Sequence, residues 1–389
     1  MTRCYLNAMA MVSAIGEGRE IAYHRLRSGK ARLTQTDSFS SERPMPLGLY
    51  SGALPEIVLT EAHWHSRNNR LALAALNQIQ TAIADAVNSF GRHRIGVVIG
   101  TSTSGISDTE SCLKQRARTG ALPPGYDYRM QEMGATAAFI AAVLQLSGPV
   151  FGISTACSSG AKALASARRL LRSGVCDAVI AGGVDTLCHL TVQGFSSLEA
   201  ISEQPCNPFS VNRKGINIGE GAALFLVTRE PGVIELAGVG ESSDAHHISA
   251  PDPTGAGAIR CMRAALADAG ITPNAIGYVN LHGTATQLND QMEARAVADV
   301  FGNTVPCSST KPLTGHTLGA AGALEAAICW LALNEGFLPR HIWDGWPDPA
   351  LPALNLVAEH REVDDFEYAL SNSFAFGGNN ISLILRRVG

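Results

Sequence analysis

The chain has 389 residues, of which 46% are hydrophobic and 16% are charged, and its formal net charge is -4. This composition excludes a disordered protein, and the length allows two ordinary domains or one large duplicated domain. The charge provides no basic excess for binding nucleic acid, and no run of 18 apolar residues predicts a membrane span.

The first apolar segment, residues 4–15, is predicted to be a buried strand. A single preceding arginine and the polar Asn7 do not fit a signal peptide. Downstream, short apolar runs alternate with longer helical ones. Strands are predicted at residues 94–100, 178–181, 223–227 and 383–385, and helices at residues 69–87, 156–173, 257–269, 291–301 and 319–334. Strands buried between helices indicate an α/β architecture.

The two halves of the chain share a layout. In the first half a strand leads to Cys157 and then to a helix rich in small residues, and in the second half Cys307 leads through His316 to another such helix. This parallel predicts a duplicated fold. We place the join near residue 230, which gives one half at residues 1–230 and the other at residues 231–389. Segment 34–58, rich in serine and proline, is predicted to be an irregular surface excursion.

Cysteine is the first candidate for chemistry. The nine cysteines include no CxxC pair and no regular spacing, which argues against a disulfide framework and a metal site and predicts reduced thiols in a cytoplasmic protein. Cys157 differs from the others because a predicted helix begins beside it. Unpaired N–H groups and the positive end of the helix dipole would stabilise a thiolate there. We therefore predict that Cys157 is a nucleophile and that the other eight cysteines are core residues.

Two histidines are candidates for the same site. His282 follows the predicted strand at residues 276–281 and precedes Gly283, Thr284 and Thr286, whose hydroxyls could bind an amide-containing linker. Lys311 and His316 lie at the start of the small-residue helix, where a buried lysine and histidine are costly without a role. The remaining histidines are expected on the surface, including His63, His65, His93, His246, His247, His341 and His360.

Together these segments resemble the β-ketoacyl-acyl-carrier-protein synthases, in the elongating branch that uses a Cys-His-His triad. The matching motifs follow the family's order along the chain: residues 9–16 (MAMVSAIG), 155–159 (TACSS), 282–286 (HGTAT), 311–322 (KPLTGHTLGAAG) and 373–380 (SFAFGGNN). The resemblance implies a thiolase-like fold of two similar halves, each with a mixed five-stranded sheet, stacked in αβαβα layers.

The resemblance also implies the reaction. Cys157 would accept an acyl chain from the phosphopantetheine of an acyl carrier protein, and malonyl-carrier protein would extend it by a decarboxylative Claisen condensation. No cofactor is implied beyond the carrier's own phosphopantetheine. The enzyme would be an acyltransferase in fatty-acid or polyene and polyketide chain elongation.

Several roles follow from the same resemblance. His282 and His316 would serve the malonyl carbonyl and the decarboxylation, in a division that the sequence leaves open, and Lys311 would order their site electrostatically. The backbone N–H groups of Cys157 and Phe376 would form the oxyanion hole. The loop carrying Phe376 would also gate the acyl tunnel. Substrate contacts are expected from Thr284, Thr286 and Phe374.

Some positions depart from the family pattern. Ala375 and Asn379 replace the glycine and threonine that are common in the C-terminal loop, and Asn207 stands where arginine is frequent. The hydroxyl-rich stretch at residues 101–105 is expected beside the acyl pocket. These features are similar to those of ketosynthases from specialised pathways, particularly aryl-polyene clusters.

Two partners are implied. The first is an acyl carrier protein, which Arg67 and Arg70 could meet at the expected docking face. The second is another ketosynthase-like chain, so the enzyme would be a homodimer or a heterodimer with a chain-length-factor subunit.

Other readings of the sequence remain open. A thiolase or an initiating ketosynthase shares the fold and the cysteine, but the first lacks the paired histidines and the second usually pairs one histidine with an asparagine. A non-catalytic partner subunit would lack Cys157. A cysteine hydrolase is conceivable, because a cysteine and a histidine suffice for acyl transfer to water.

Overall fold

The computed structural model describes residues 2–30, 33–40, 43–363 and 366–389. Within these residues, ten strands form two sets of five. The first set comprises β1 (Tyr5–Ser13), β2 (Ile95–Gly100), β3 (Val150–Ile153), β4 (Ala178–Asp185) and β5 (Gly221–Thr228). The second set comprises β6 (Ile234–Ser243), β7 (Ile276–Asn280), β8 (Pro306–Ser308), β9 (Tyr368–Phe374) and β10 (Asn379–Arg387).

The helices of the described residues lie mainly between these strands. They are α1 (Arg19–Ser28), α2 (Arg67–Gln78), α3 (Gln80–Phe90), α4 (Ile106–Thr119), α5 (Ala135–Leu144), α6 (Ser159–Arg172), α7 (His189–Ser197), α8 (Ala256–Ala269), α9 (Gln287–Phe301), α10 (Lys311–Thr314) and α11 (Ala321–Glu335). Single 3₁₀ turns and two- or three-residue strands complete the connections. None of these helices is both long and apolar enough to cross a membrane.

Both sets of strands have the same topology. Their orders are β3-β2-β4-β5-β1 and β8-β7-β9-β10-β6. In each set the first strand is antiparallel to the fifth, the fifth is antiparallel to the fourth, and the second is parallel to the fourth and the third. This repetition confirms the duplicated α/β fold. The sets meet where β1 pairs with β6, and the link at residues 229–233 contains the predicted join, while the division into two domains stays a prediction.

Helices α6 and α11 pack against each other in the centre of the molecule. Apart from its last two residues, α11 is buried throughout, which explains why its buried residues are apolar on every face except at Glu325. Small residues make the contact close: a Cβ added to Gly160 would lie 2.9 Å from the amide nitrogen of Ala323, and one added to Gly322 would lie 3.0 Å from that of Ala161. The small-residue stretches of the two halves therefore serve to bring the two helices together.

The predicted strands and helices are present, with one break. The helix predicted at residues 69–87 is two helices, α2 and α3, separated at Ile79, whose φ of -119° and ψ of 15° are not helical. The first apolar segment is indeed a buried strand, β1.

The prediction for segment 34–58 is confirmed for its mainly irregular and exposed residues but wrong where the segment enters the core, and residues 41 and 42 lie outside the described residues. Short strands occur at Thr34–Thr36 and Met45–Leu47, and Tyr50, Leu54 and Ile57 are buried in the core. Apolar side chains spaced among the prolines anchor this segment to the body of the protein.

Arginines of α2 hold the same segment in place. Arg67 donates to the carbonyl of Tyr50 at 3.1 Å and to the buried carboxylate of Glu220 at 2.9 Å, and Arg70 donates to the carbonyl of Pro55 at 3.1 Å. These guanidinium groups therefore have hydrogen-bond partners within the fold, and their contact with an acyl carrier protein stays a prediction.

The close contact of α6 and α11 leads to a stability prediction. Gly322→Ala should lower the free energy of unfolding by about 1–3 kcal/mol, because the new methyl group overlaps Ala161. Gly194→Ala in α7 is the matched control, because its Cβ meets no atom within 4 Å, and it should remain within about 1 kcal/mol of wild type. Urea unfolding measures both. Equal stabilities for the two variants would show that the contact tolerates a larger residue.

Candidate active site

Cys157 lies in the turn between β3 and α6. The preceding Ala156 has a φ of 52°, a left-handed conformation that is costly for a residue with a Cβ atom. Two serines hold this turn: Ser159 Oγ donates to the Ala156 carbonyl at 2.6 Å, and Ser158 Oγ donates to the Thr155 carbonyl at 2.7 Å. The hydroxyls of these two serines therefore fix the backbone that presents the thiol.

His316 meets Cys157 from the other half of the chain. Its Nε2 atom lies 3.1 Å from Cys157 Sγ, and its Nδ1 atom accepts a hydrogen bond from the Leu318 N–H at 3.2 Å. Burial, reinforced by the charge of Lys311, lowers the pKa of His316 well below its ordinary value, so the ring is neutral. A neutral ring that accepts at Nδ1 carries its proton on Nε2, and this N–H points at the sulfur.

His282 follows β7 and faces the same point. Its ring lies 5.4 Å from that of His316, centroid to centroid, at an angle of 85°. Lys311 Nζ lies 3.3 Å from His282 Nδ1, and because an ammonium group can only donate, Nδ1 is the acceptor. Burial lowers the pKa of His282 well below its ordinary value, and the charge of Lys311 adds to this effect. His282 is therefore also a neutral ring with its proton on Nε2.

One buried ion pair supports this arrangement. Lys311 donates to Nδ1 and to the carbonyl of His282 and to the carboxylate of Glu325, so its three N–H bonds are all used. Burial raises the pKa of Glu325 to about 7, against the opposing effect of Lys311. Sequence reasoning missed Glu325, although a carboxylate buried in the apolar helix α11 was a signal for a buried partner.

A second carboxylate holds the backbone at His282. Glu293 in α9 accepts hydrogen bonds from the N–H groups of His282 and Gly283, each at 2.7 Å. Burial raises the pKa of Glu293 to about 7, while those two N–H groups oppose the shift. The ring of His282 is thus held through its side chain by Lys311 and through its main chain by Glu293.

The three reactive side chains could in principle hold a metal ion. One ligand atom from each of Cys157, His282 and His316 lies within 4.8 Å of the others. Both Nδ1 atoms already accept hydrogen bonds, and both Nε2 atoms carry protons, so neither ring offers a free lone pair toward the centre. The donor set fits hydrogen-bond donation to an oxygen atom better than metal binding.

The ionisation of Cys157 differs from the expected thiolate. Burial raises the pKa of the Cys157 thiol to about 11, and the opposing effects of the Lys311 charge and the Phe376 N–H do not compensate. At neutral pH the sulfur is therefore a thiol, and the predicted lowering of its pKa is wrong. Helix α6 begins two residues after Cys157, as predicted, and burial is the largest cause of the raised pKa.

The loop between β9 and β10 borders the site. The backbone N–H of Phe376, in this loop, acts to lower the pKa of the Cys157 thiol, against the larger effect of burial. Gly377 and Gly378 follow with φ values of 83° and 73°, a conformation that favours glycine. The Phe376 ring packs against Phe195 of α7, with the ring centroids 5.6 Å apart.

Ala375 and Asn379, the two residues of this loop that depart from the family pattern, both form hydrogen bonds. The N–H of Ala375 donates to the carbonyl of Asn379 at 2.9 Å, and Lys162 Nζ donates to the side chain of Asn379 at 3.2 Å. These contacts tie the ends of the loop together and connect it to α6.

A cavity of about 520 Å³ leads to the sulfur. The predicted site residues that line it are Cys157, His282, Thr284, Thr286, His316, Phe374 and Phe376, while Lys311 lies behind His282. The hydroxyls of Thr284 and Thr286 lie 2.9 Å apart.

Stretch 101–105 is not part of the cavity lining. The hydroxyls of Thr101 and Thr103 donate instead to the buried carboxylate of Asp185, at 2.6 and 2.9 Å. These two hydroxyls are therefore used within the fold, and the place of this stretch beside an acyl pocket stays a prediction.

Two of the histidines expected on the surface are buried. His63 is 6% exposed and His341 only 1%. His341 Nδ1 accepts from the Ser309 N–H at 3.1 Å, and its Nε2 donates to the Pro208 carbonyl at 3.0 Å. Burial lowers the pKa of His341 to about 4, so this ring is neutral. It links the backbone at Ser309 to the backbone at Pro208.

Comparison with known proteins agrees with this geometry. Residues 50–231 match the family model "Beta-ketoacyl synthase, N-terminal domain", and residues 233–343 match "Beta-ketoacyl synthase, C-terminal domain". Nodulation protein E of Rhizobium meliloti is 36% identical over 332 residues, which is 82% of either chain. A 3-oxoacyl-[acyl-carrier-protein] synthase 2 of Staphylococcus aureus is 34% identical over 343 residues, again 82% of either chain.

A solved structure is similar over the full length. The ketosynthase ApeO in complex with its chain length factor ApeC, from Xenorhabdus doucetiae, is 44% identical, with a TM-score of 0.96 over 100% of this chain and 98% of that one. Together with the meeting of Cys157, His282 and His316, these findings identify the chain as a member of the β-ketoacyl synthase family, a condensing acyltransferase with the thiolase-like fold.

Proposed function

We propose that this β-ketoacyl synthase loads an acyl chain onto Cys157 and extends it by decarboxylative condensation with malonyl-carrier protein, and that its two histidines act as paired hydrogen-bond donors. The observation that carries the assignment is the convergence of two neutral Nε2–H groups beside the Cys157 sulfur.

Acyl loading uses Cys157, in the first half of the chain. Cys157 sulfur attacks the thioester carbonyl of the incoming acyl carrier, and the new C–S bond replaces the bond to pantetheine. The N–H groups of Cys157 and Phe376 would stabilise the tetrahedral oxyanion. Since neither Nε2 atom has a free lone pair, the thiol proton ends on the departing pantetheine sulfur rather than on a histidine.

Decarboxylation uses His282 and His316, in the second half of the chain. With the malonyl thioester oxygen between the rings, the Nε2–H groups of His282 and His316 donate to it and stabilise the enolate that forms as CO₂ leaves. The enolate carbon then attacks the acyl-Cys157 carbonyl, so that a C–C bond forms and the C–S bond to Cys157 breaks. The sulfur leaves as a thiolate and takes up a proton from solvent, which restores the thiol. Lys311 contributes by holding the tautomer of His282.

The carrier's arm would bind along the cavity. Thr284 and Thr286 line it, and each hydroxyl can pair with an amide of pantetheine when their mutual hydrogen bond opens. Phe374 provides an apolar wall beside His282, with the two rings 6.3 Å apart. These contacts would place the malonyl thioester at the two Nε2–H groups.

We further propose that the chain works as the catalytic subunit of a heterodimer with a chain length factor, in an aryl-polyene type of pathway. Support comes from the likeness to a ketosynthase that forms such a complex. Strand β3 also forms an end of the sheet, with no partner on its outer edge among the described residues, and Phe151 on it is 39% exposed. An open strand edge of this kind favours pairing with another chain. A homodimer is the second candidate.

The nucleophile assignment predicts a clear loss. With radiolabelled acyl-carrier protein, wild type should form a covalent acyl-enzyme and Cys157→Ala should not, as intact-mass analysis can verify. His282→Ala should still be acylated but lose about 10²-fold in malonyl decarboxylation, because one oxyanion donor is gone. Equal labelling of Cys157→Ala would show that Cys157 is not the nucleophile.

The raised pKa of Cys157 predicts a steep pH dependence of its alkylation. Because the thiol pKa is about 11, the reactive thiolate fraction should grow about tenfold per pH unit between pH 7 and 10. The test is the rate of iodoacetamide modification at the Cys157 peptide, with Cys157→Ala as the blank. A rate that is constant between pH 7 and 9 would instead indicate a thiolate already formed at neutral pH.

The partner proposal predicts a change in assembly. Co-expression with a chain length factor should give a heterodimer by light scattering, and this complex should extend aryl-polyenoyl carriers faster than saturated ones. Phe151→Asp should weaken the assembly, whereas Val58→Asp, at a residue that is 89% exposed, should not. An active homodimer that does not bind added chain length factor would instead favour the homodimer as the working form.

A further inference from the structure

Asp185 is the last residue of β4 and is fully buried. Its Oδ1 atom accepts from the Thr101 hydroxyl at 2.6 Å and from the N–H and hydroxyl of Thr103, both at 2.9 Å. The Ser102 N–H lies 2.8 and 3.0 Å from the two carboxylate oxygens. One carboxylate therefore holds the whole turn at residues 101–103 in the first half of the chain.

The other carboxylate oxygen reaches the second half. Asp185 Oδ2 accepts from the Gly319 N–H at 2.6 Å. The approach leaves no room for a side chain, because a Cβ on Gly319 would lie 2.8 Å from Oδ2 and 2.7 Å from the Ser102 nitrogen. Asp185 thus binds the turn that directly follows His316.

Leu318 lies between this contact and His316. Its φ is 48°, a strained value for leucine, and it is buried. One peptide group lies on each side of the Leu318 Cα atom, and both are hydrogen-bonded. The N–H of Leu318 donates to His316 Nδ1 at 3.2 Å, and the N–H of Gly319 donates to Asp185. Because one peptide group is held at each side, Leu318 cannot relax without breaking one of these hydrogen bonds.

We propose that Asp185 is a positioning residue that fixes the tautomer of His316: by holding the Gly319 N–H, it keeps Leu318 strained and the Leu318 N–H aimed at His316 Nδ1. This inference rests on the proposed function, in which the Nε2–H of His316 stabilises the malonyl enolate. If Leu318 relaxes, Nδ1 loses its donor and can take the proton, and Nε2 then presents a lone pair to the substrate oxygen.

The chemistry requires an acceptor at both oxygens of residue 185. A carboxylate accepts at both, whereas an amide presents one oxygen and one NH₂ group. In Asp185→Asn the amide oxygen would face the donors of the turn at residues 101–103. The NH₂ group would then face the Gly319 N–H, donor against donor, and push this peptide away.

The experiment compares Asp185→Asn with Thr103→Val. The control loses the hydrogen bond to Oδ1 and the one from the Thr186 N–H, but it leaves the Gly319 contact at Oδ2. Histidine labelled with ¹⁵N reports the tautomer, and the His316 signals are assigned by their loss in a His316→Asn variant. Wild type and Thr103→Val should show His316 protonated at Nε2 alone. Asp185→Asn should show a mixture of both tautomers.

Kinetics provide the second readout. Malonyl decarboxylation by Asp185→Asn should fall about tenfold or more through kcat, whereas acylation of Cys157 should stay within about threefold of wild type. A merely structural role would lower both rates together and leave the tautomer unchanged. Wild-type tautomer signals in folded Asp185→Asn would overturn the inference.

A second variant tests the same inference if Asp185→Asn does not fold. Gly319→Ala retains the carboxylate but places a methyl group against it, so it should produce the same tautomer mixture, and a pure Nε2–H signal there would also contradict the proposal. If wild type itself fails to decarboxylate malonyl-carrier protein, the proposed function fails, while the NMR comparison still decides the role of Asp185.

Discussion

The chemistry of this site depends on the hydrogen bonds that Nδ1 of each catalytic histidine accepts. A buried imidazole is neutral, and its single proton can lie on either nitrogen. Lys311 beside His282 and the Leu318 N–H beside His316 settle that choice, and both protons then point toward Cys157. Without these two donors, the same rings at the same distances would offer lone pairs instead of protons.

Burial of the site determines the protonation states of its side chains. It keeps both rings neutral, but it also keeps the Cys157 sulfur protonated and raises the pKa of the supporting carboxylates. Buried charge survives here because it is paired, as Lys311 is with Glu325. The site is thus organised for stabilising charge that forms during the reaction, with little charge stored beforehand.

The reactive residues could be read from the sequence because each belongs to a short contiguous motif. Cys157, His282 and His316 were found in this way, and so was the loop around Phe376. The residues that hold them could not be found, because Glu325 and Asp185 act across 14 and 134 positions of the chain, respectively, and only the fold brings them into contact. The ionisation of Cys157 was mistaken for a related reason, since local sequence indicates a helix N-terminus but not the depth of burial.

The close contact of α6 and α11 has a consequence for how the enzyme loses activity. Cys157 precedes α6 and His316 precedes α11, so the 3.1 Å between Sγ and Nε2 is set by how tightly these helices from opposite halves are pressed together. An expansion of only about 1 Å would exceed hydrogen-bond range while leaving both sheets intact. The geometry of the reacting groups therefore depends directly on the contact between these two helices.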